Sequence, residues 1–282
     1  MYVLKEIIRK YGLSANKALG QNFILDTQIL DKLARFAVSD KNPQKILEIG
    51  PGPGGLTQAL LKNSKADLTV VEKDRRCVEA LQELSSDFPN RLTILEEDAL
   101  KFDETSMGEK IVLASNLPYN ISTVLLVKWL KQISRFSRLS LMFQKEVADR
   151  LVAQPHDKAY GRLSVLTQWL CDVDILMNLN PAIFTPAPKV TSTFLSLTPK
   201  EKPFDVSFNA MEKVTAVAFG QRRKMLRGSL KKLGNSSLLC EVAGVSETAR
   251  AEEVSVEGFC LMAKKWEELN GCHVGTSCPT RC

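Results

Sequence analysis

The sequence predicts a doubly wound α/β sheet followed by a small all-helical module, and three observations carry that expectation. A short apolar run at 45–49 ends abruptly in Gly50-Pro51-Gly52-Pro53-Gly54, and helical periodicity resumes at 56–61. Strand, tight glycine turn and helix make the first crossover of such a sheet, with the ligand placed where the turn meets the helix. Further apolar runs at 68–72, 92–95 and 110–115 alternate with helical segments, as parallel strands joined by crossovers do. Beyond Pro199-Lys200-Glu201-Lys202-Pro203 nothing reads as strand, so that stretch is the expected linker.

In chain order, residues 3–11 form an amphipathic helix (Leu4, Ile7, Ile8, Tyr11) stopped by Gly12. A polar loop over 14–24 follows, and Asp26 is the expected N-cap of a helix using Ile29, Leu30, Leu33 and Ala37. After the glycine turn come a strand ending in Glu72, a helix over 74–87 and a third strand leading to Asp98. A fourth strand at 110–115 breaks into Asn116-Leu117-Pro118-Tyr119, a helix spans 122–133 and a fifth strand covers 139–143. Helices at 145–153 and 161–169 enclose a polar loop with His156, and a β pair is expected at 173–179 and 190–197. The alternation Val190, Ser192, Phe194, Ser196 suits a strand with one polar face. The domain boundaries read from this pattern are 1–200, 201–270 and a disordered tail over 271–282.

At 282 residues the chain has room for one large α/β domain and a smaller one. A net charge of +6 permits a nucleic-acid partner without demanding one. Of seven cysteines, Cys77, Cys171, Cys240 and Cys260 read as reduced residues of a cytoplasmic protein. Cys272, Cys278 and Cys282 share the tail with His273 but form no C-x-x-C pair, so a frayed terminus is expected rather than a metal site. The N-terminus is charged throughout, unlike a secretory signal, and the charge-free run 111–127 is interrupted by Asn116, Pro118 and Asn120, unlike a membrane span.

Gly50, Gly52 and Gly55 satisfy the dinucleotide fingerprint, which brings a nicotinamide or flavin enzyme into consideration. Pro51 and Pro53, however, lack the N–H groups that cradle phosphate oxygens. Glu48, just before the turn, opposes a phosphate and suits a ligand ammonium group. A cationic, phosphate-free nucleoside fits better, and S-adenosylmethionine is one. Glu72 lies 22 residues past Gly50, where a carboxylate accepts from ribose hydroxyls. Asp98, beyond the third strand, can accept from an adenine amine. In Asn116-Leu117-Pro118-Tyr119, the Asn116 side-chain carbonyl and the main-chain carbonyl of Leu117 or Pro118 can accept both N–H bonds of an aromatic amine. That holds the nitrogen nearer tetrahedral and aims its lone pair at an electrophilic methyl, while Tyr119 offers a face for stacking. No general base is demanded, because the methylated amine is acidic enough to lose its proton to water, so His156 reads as a loop residue.

Gly20-Gln21-Asn22-Phe23, Glu48-Ile-Gly-Pro-Gly-Pro-Gly54, Asn116-Leu-Pro-Tyr119, Tyr160-Gly-Arg-Leu-Ser164, Phe184-Thr-Pro-Ala-Pro-Lys-Val190 and Gln221-Arg-Arg-Lys224 occur together and in order. The chain thereby resembles the ribosomal RNA adenine N6,N6-dimethyltransferase family, and within it the bacterial small-subunit enzymes. The resemblance implies a Rossmann-like, seven-stranded S-adenosylmethionine-dependent methyltransferase domain and a helical C-terminal domain. It implies a substrate of two adjacent adenosines in the 3′-terminal hairpin loop of 16S rRNA, each methylated twice during late small-subunit assembly in the cytoplasm. Cofactor contacts implied by motif position fall on Gln21, Asn22, Ile24, Gly50, Gly52, Glu72, Asp98 and Asn116. The implied catalytic set is Asn116, Leu117, Pro118, Tyr119 and Phe184, the two aromatics lying on either face of the target base.

Phe184 sits in a proline-stiffened loop that can hold an exposed ring ready, and base stacking on such a ring is worth about 1–3 kcal/mol. Between Lys213 and Cys240 there is no acidic residue. On one helix Arg223, Arg227 and Lys231 share a face opposite Phe219, Leu226, Leu230 and Leu233, so Arg222, Arg223, Lys224, Arg227 and Lys231 are the expected RNA contacts. Two alternatives stand beside this reading: a large-subunit rRNA adenine methyltransferase, and a non-catalytic ribosome assembly factor. Nothing demands more than a monomer.

Overall fold

The structure, a computed structural model, describes residues 3–13, 21–38 and 43–271. Residues 14–20, with the motif residue Gly20, and 272–282, with Cys272, Cys278 and Cys282, lie outside the described residues. The described elements begin with α1 Leu4–Lys10, β1 Phe23–Ile24, α2 Thr27–Val38, β2 Lys45–Ile49, α3 Gly55–Asn63, β3 Asp67–Glu72 and α4 Arg75–Asp87. Next come β4 Leu92–Glu96, β5 Ile111–Ser115, α5 Ser122–Leu130, β6 Phe136–Gln144, α6 Lys145–Val152, α7 Arg162–Leu170 and β7 Cys171–Leu179. The chain closes with β8 Phe184–Thr185, β9 Ser192–Pro199, α8 Phe208–Phe219, α9 Leu226–Ser229, α10 Ser236–Val242 and α11 Val256–Gly271. Gly271, expected to open the tail, is instead the last residue of α11.

Met1–Ala148 and Asp172–Pro199 form one compact unit, and Asp149–Cys171 and Lys200–Cys282 another. The first unit holds a seven-stranded sheet of order β4-β3-β2-β5-β6-β9-β7, in which β2 to β6 run parallel and β9 pairs antiparallel with β6. From β2 the chain builds outward through β3 and β4, then returns to β5 on the opposite side. The strand order therefore reverses between β2 and β5, and a crevice opens outside their carboxyl ends. Ile46–Ile49 and all of β5 are buried, which explains their near-continuous apolar runs. The polar face expected for β9 is absent: Ser192 and Ser196 are buried because the strand lies between β6 and β7.

A buried ion cluster locks the loop after β4. Glu104 is fully buried and accepts from Lys128 Nζ at 3.0 Å, Trp129 Nε1 at 2.7 Å and Gln132 Nε2 at 2.8 Å. Lys128 also donates to the carbonyls of Ala99 and Phe102. Every polar atom of the cluster named here has a partner, the condition under which a buried charge is tolerated.

In the second unit the Tyr160–Ser164 motif serves packing. Tyr160 is buried, donates to Val254 O at 2.9 Å and meets Phe219 edge-on at 6.0 Å, while Phe219 packs at 5.3 Å on Phe259. Ser164 Oγ accepts from Gly161 N and donates to Arg150 O. Residues 149–171, within the 1–200 span read from the sequence, thus pack with the later helices. The continuous basic helix expected across 219–233 is also replaced. α8 ends at Phe219, residues 220–224 turn, and Met225 becomes extended to bridge Arg250. Leu226 N donates to Ala249 O and Arg227 N to Glu247 O. Tertiary pairing of this backbone overrides the local helical period.

Candidate active site

The turn after β2 is built by backbone conformation. Gly50, Gly52 and Gly54 have φ of +64°, +54° and +79°, values that side chains disfavour. A Cβ on Gly52 would also lie 2.9 Å from the Phe23 ring, so close approach excludes any larger residue. The turn's N–H groups are all committed internally. Gly50 donates to Val71 O at 2.9 Å, Gly52 to Glu72 Oε2 at 3.0 Å and Gly54 to Pro51 O at 3.1 Å. With Pro51 and Pro53 between them, no N–H from residue 50 to 54 remains for a phosphate. That speaks against the dinucleotide reading.

Glu72 ends β3 almost wholly buried. Its Oε2 takes the Gly52 N–H, and its Oε1 takes the N–H groups of Lys73 and Asp74, each at 2.8 Å. Burial raises its pKa, against the pull of those three donors. One carboxylate thus joins the glycine turn to the turn before α4. Asp98 is more exposed: Oδ2 pairs with Lys73 Nζ at 2.7 Å and Oδ1 accepts from Leu100 N at 3.0 Å. The Lys73 ammonium, then the Leu100 N–H, hold its pKa below the ordinary value. Lys73 was not foreseen from sequence, which marks it only as one more surface lysine.

Asn116 follows β5, whose Ser115 hydroxyl donates to Ile49 O and ties the tips of β2 and β5 together. Asn116 Nδ2 donates to Asn22 O at 3.0 Å. With the amide nitrogen so used, Oδ1 is the atom left to accept from a ligand amine. Pro118 O takes the Ile121 N–H at 3.2 Å to start α5, so one of its two lone pairs is already engaged. Tyr119 is half-buried, and its hydroxyl shares a 2.5 Å hydrogen bond with Ser192. Burial raises the Tyr119 pKa.

These groups line one open cleft, whose empty space counted out into solvent is about 1040 Å³. Its lining includes Gln21, Asn22, Ile24, Gly50, Gly52, Glu72, Asp98 and Asn116–Tyr119. Phe184 is not among its lining residues. It is 3% exposed, pairs with Ile24 across β1–β8 and sits in the apolar core, so the exposed platform expected from the sequence is corrected. Burying the ring removes a large apolar area from water, which a free loop cannot do. Of the basic set, all five side chains are exposed. Arg222 is nevertheless fastened, donating to Lys158 O at 3.1 Å and Tyr160 O at 2.9 Å with Glu252 at 3.6 Å. Arg223, Lys224, Arg227 and Lys231 lie on turns and short helices rather than on one helical face.

Glu48 tests what the cleft can hold. It is 1% exposed and lines the cleft, and its Oε2 has no hydrogen-bond partner. Burial pushes its carboxyl from the ordinary 4.5 up to about 8, partly offset by the Thr57 hydroxyl. An orphaned acid beside a phosphate-free turn fits a ligand carrying positive charge, as S-adenosylmethionine does. Between those two values the folded protein keeps a proton that the unfolded chain has released, so stability falls as pH rises from about 4.5 to about 8. Glu48→Gln removes this group's share of that slope, so its melting temperature declines less steeply between about pH 5 and 8 than the parent's. Parallel melting curves for the two proteins would refute the shifted acid.

Comparison with known proteins finds a matching family and several relatives. The family described as ribosomal RNA adenine dimethylase matches residues 12–268. The ribosomal RNA small subunit methyltransferase A of Paramagnetospirillum magneticum is 49% identical over 265 residues, covering 93% of each chain. Among solved structures, a dimethyladenosine transferase from Plasmodium falciparum superposes with a TM-score of 0.75 at 27% identity, covering 87% of this chain and 98% of that one. The 23S rRNA methyltransferase ErmE superposes with a TM-score of 0.67 at 22% identity, covering 87% of this chain and all of that one, a likeness of fold.

Proposed function

The chain belongs to the ribosomal RNA adenine dimethylase family, and from that premise we propose how its cleft works. The protein is an S-adenosylmethionine-dependent enzyme that dimethylates adenine in small-subunit (16S) ribosomal RNA. We assign its substrate as two adjacent adenosines of the 3′-terminal hairpin loop, taken during late small-subunit assembly by a monomer in the cytoplasm. Among the described residues no helix is long and apolar enough to cross a membrane, and the cytoplasmic assignment rests on the ribosomal substrate.

The cofactor, when bound, supplies an electrophilic methyl on a positively charged sulfur. Glu72 accepts from the ribose hydroxyls, Asp98 from the adenine amine, and Glu48, ionised as the positive charge of the cofactor lowers its pKa, balances that charge. The walls at Gln21, Asn22 and Ile24 and the turn at Gly50 and Gly52 enclose the remainder. On the substrate side, Asn116 Oδ1 and the main-chain carbonyl of Leu117 or Pro118 accept from the target amine, which localises its lone pair and sets its direction. Pro118 fixes the turn that brings those carbonyls together, and Tyr119 stacks on the base. The amine proton leaves to water after transfer. Phe184 reaches the second face of the base only if its ring leaves the core. The observation that carries the assignment is the Asn116–Asn22 hydrogen bond, because it leaves a carbonyl oxygen of Asn116 for the substrate. Incubation with methyl-labelled cofactor and undermethylated small subunits yields N6,N6-dimethyladenosine on nucleoside analysis. Label recovered from large-subunit RNA would transfer the assignment to that subunit.

Residues 201–270 supply the RNA-binding module in this reading, through exposed Arg223, Lys224, Arg227 and Lys231, with Arg222 helping to hold its backbone. Affinity for small subunits falls steeply with salt, and Arg227→Ala or Lys231→Ala lowers the log–log slope by about 0.7–0.9 each. A slope unchanged in both variants would remove these residues from the interface.

A further inference from the structure

We propose that Ser192 is a positioning residue for methyl transfer, acting through the ring of Tyr119. The inference rests on the reading of Tyr119 as the stacking face for the target base.

Tyr119 is held at two points. Its carbonyl accepts from Ser122 Oγ at 3.1 Å, which fixes the backbone at the start of α5. Its hydroxyl shares the hydrogen bond with Ser192 Oγ, which fixes the tip of the ring. A ring tied only by its backbone turns about the Cα–Cβ bond, whereas one also held at its hydroxyl has the direction of its long axis fixed. Ser192 is suited to the task because it cannot move easily. It is fully buried at the first position of β9, in register with Gln144 of β6, and the neighbouring Thr191 O accepts from Lys145 N at 2.8 Å.

The same hydrogen bond fastens the loop carrying Pro186 and Pro188. That loop begins at β8, paired with β1, beside the Asn22 carbonyl that holds Asn116. It ends at Ser192, which holds Tyr119. Both substrate-facing side chains of the Asn116–Tyr119 turn are therefore oriented by the segments at the two ends of this loop, Asn116 through β1 and Tyr119 through β9. Stacking sets where the target amine lies relative to Asn116 Oδ1, and small misplacements of reacting atoms cost large factors in rate.

The test measures methyl transfer to undermethylated small subunits by the full chain, with cofactor affinity determined by calorimetry. Ser192→Ala lowers kcat about tenfold and leaves the cofactor Kd unchanged, since no cofactor-facing group loses a partner. Tyr119→Phe, which removes the other half of the hydrogen bond, lowers kcat by the same factor, and the double variant is no slower than either single one. Ser192→Thr, which keeps a hydroxyl, recovers most of the rate, and all variants melt within a few degrees of the parent. Full activity of Ser192→Ala beside a slow Tyr119→Ala would overturn the positioning role while leaving Tyr119 its stacking role. Multiplicative losses in the double variant would also overturn it, because the two hydroxyls would then act separately. Full activity of Tyr119→Ala would remove both the stacking role and the inference.

Discussion

Replacing Asn116 by alanine lowers kcat for methyl transfer by about a thousandfold, the upper range for deleting one preorganised polar group at a reacting centre. The loss falls on kcat because the acceptor matters most once positive charge develops on the amine nitrogen. Alanine removes Oδ1 and also releases the Asn22 carbonyl now held at 3.0 Å. Asn116→Asp separates these two effects. A carboxylate keeps an acceptor for the amine but faces Asn22 O without a proton to offer, so it retains part of the rate and turns over faster than alanine. Single-turnover assays with saturating cofactor and small subunits measure both. An alanine variant within about threefold of the parent would show that the amine is activated elsewhere.

Replacing Glu72 by alanine weakens cofactor binding by about a hundredfold or more, since hydrogen bonds to a charged group contribute about 1.5–3 kcal/mol each. The effect exceeds the loss of ribose contacts alone. Gly52 N–H, Lys73 N–H and Asp74 N–H all lose their acceptor, and the glycine turn loses its tie to the turn before α4. Glutamine does not rescue. Both oxygens of Glu72 are acceptors, so an amide places its NH₂ against either Gly52 N–H or the Lys73 and Asp74 pair. Calorimetry on the two variants tests this, and a glutamine variant that binds cofactor as the parent does would refute the shared-acceptor geometry.

Much of the cleft lining was legible in the sequence because its groups lie at or near strand ends. Glu48, Gly50, Glu72, Asp98 and Asn116 each stand at or just beyond a recognisable apolar run, and parallel pairing gathers those ends without further information. The bonds between distant segments were not legible. Asn22 and Asn116, like Tyr119 and Ser192, are far apart in the chain, and no local pattern links them. The proline-rich loop around Phe184 gave a sound reason for stiffness but none for which way its ring faces. β1–β8 pairing decided that by drawing the ring into the core. The single helix expected over the basic stretch failed for a related reason. Its apolar period is helical, yet Met225 is taken up by pairing with Arg250, a partner that the periodicity does not announce.

Placing Glu72, Asp98 and Asn116 at or just past strand ends puts these cleft groups outside the packed strand interiors. The interior of β2 and β5, with Ile46, Leu47, Val112 and Leu113 fully buried, governs how much heat the sheet withstands. The turns beyond govern what it recognises.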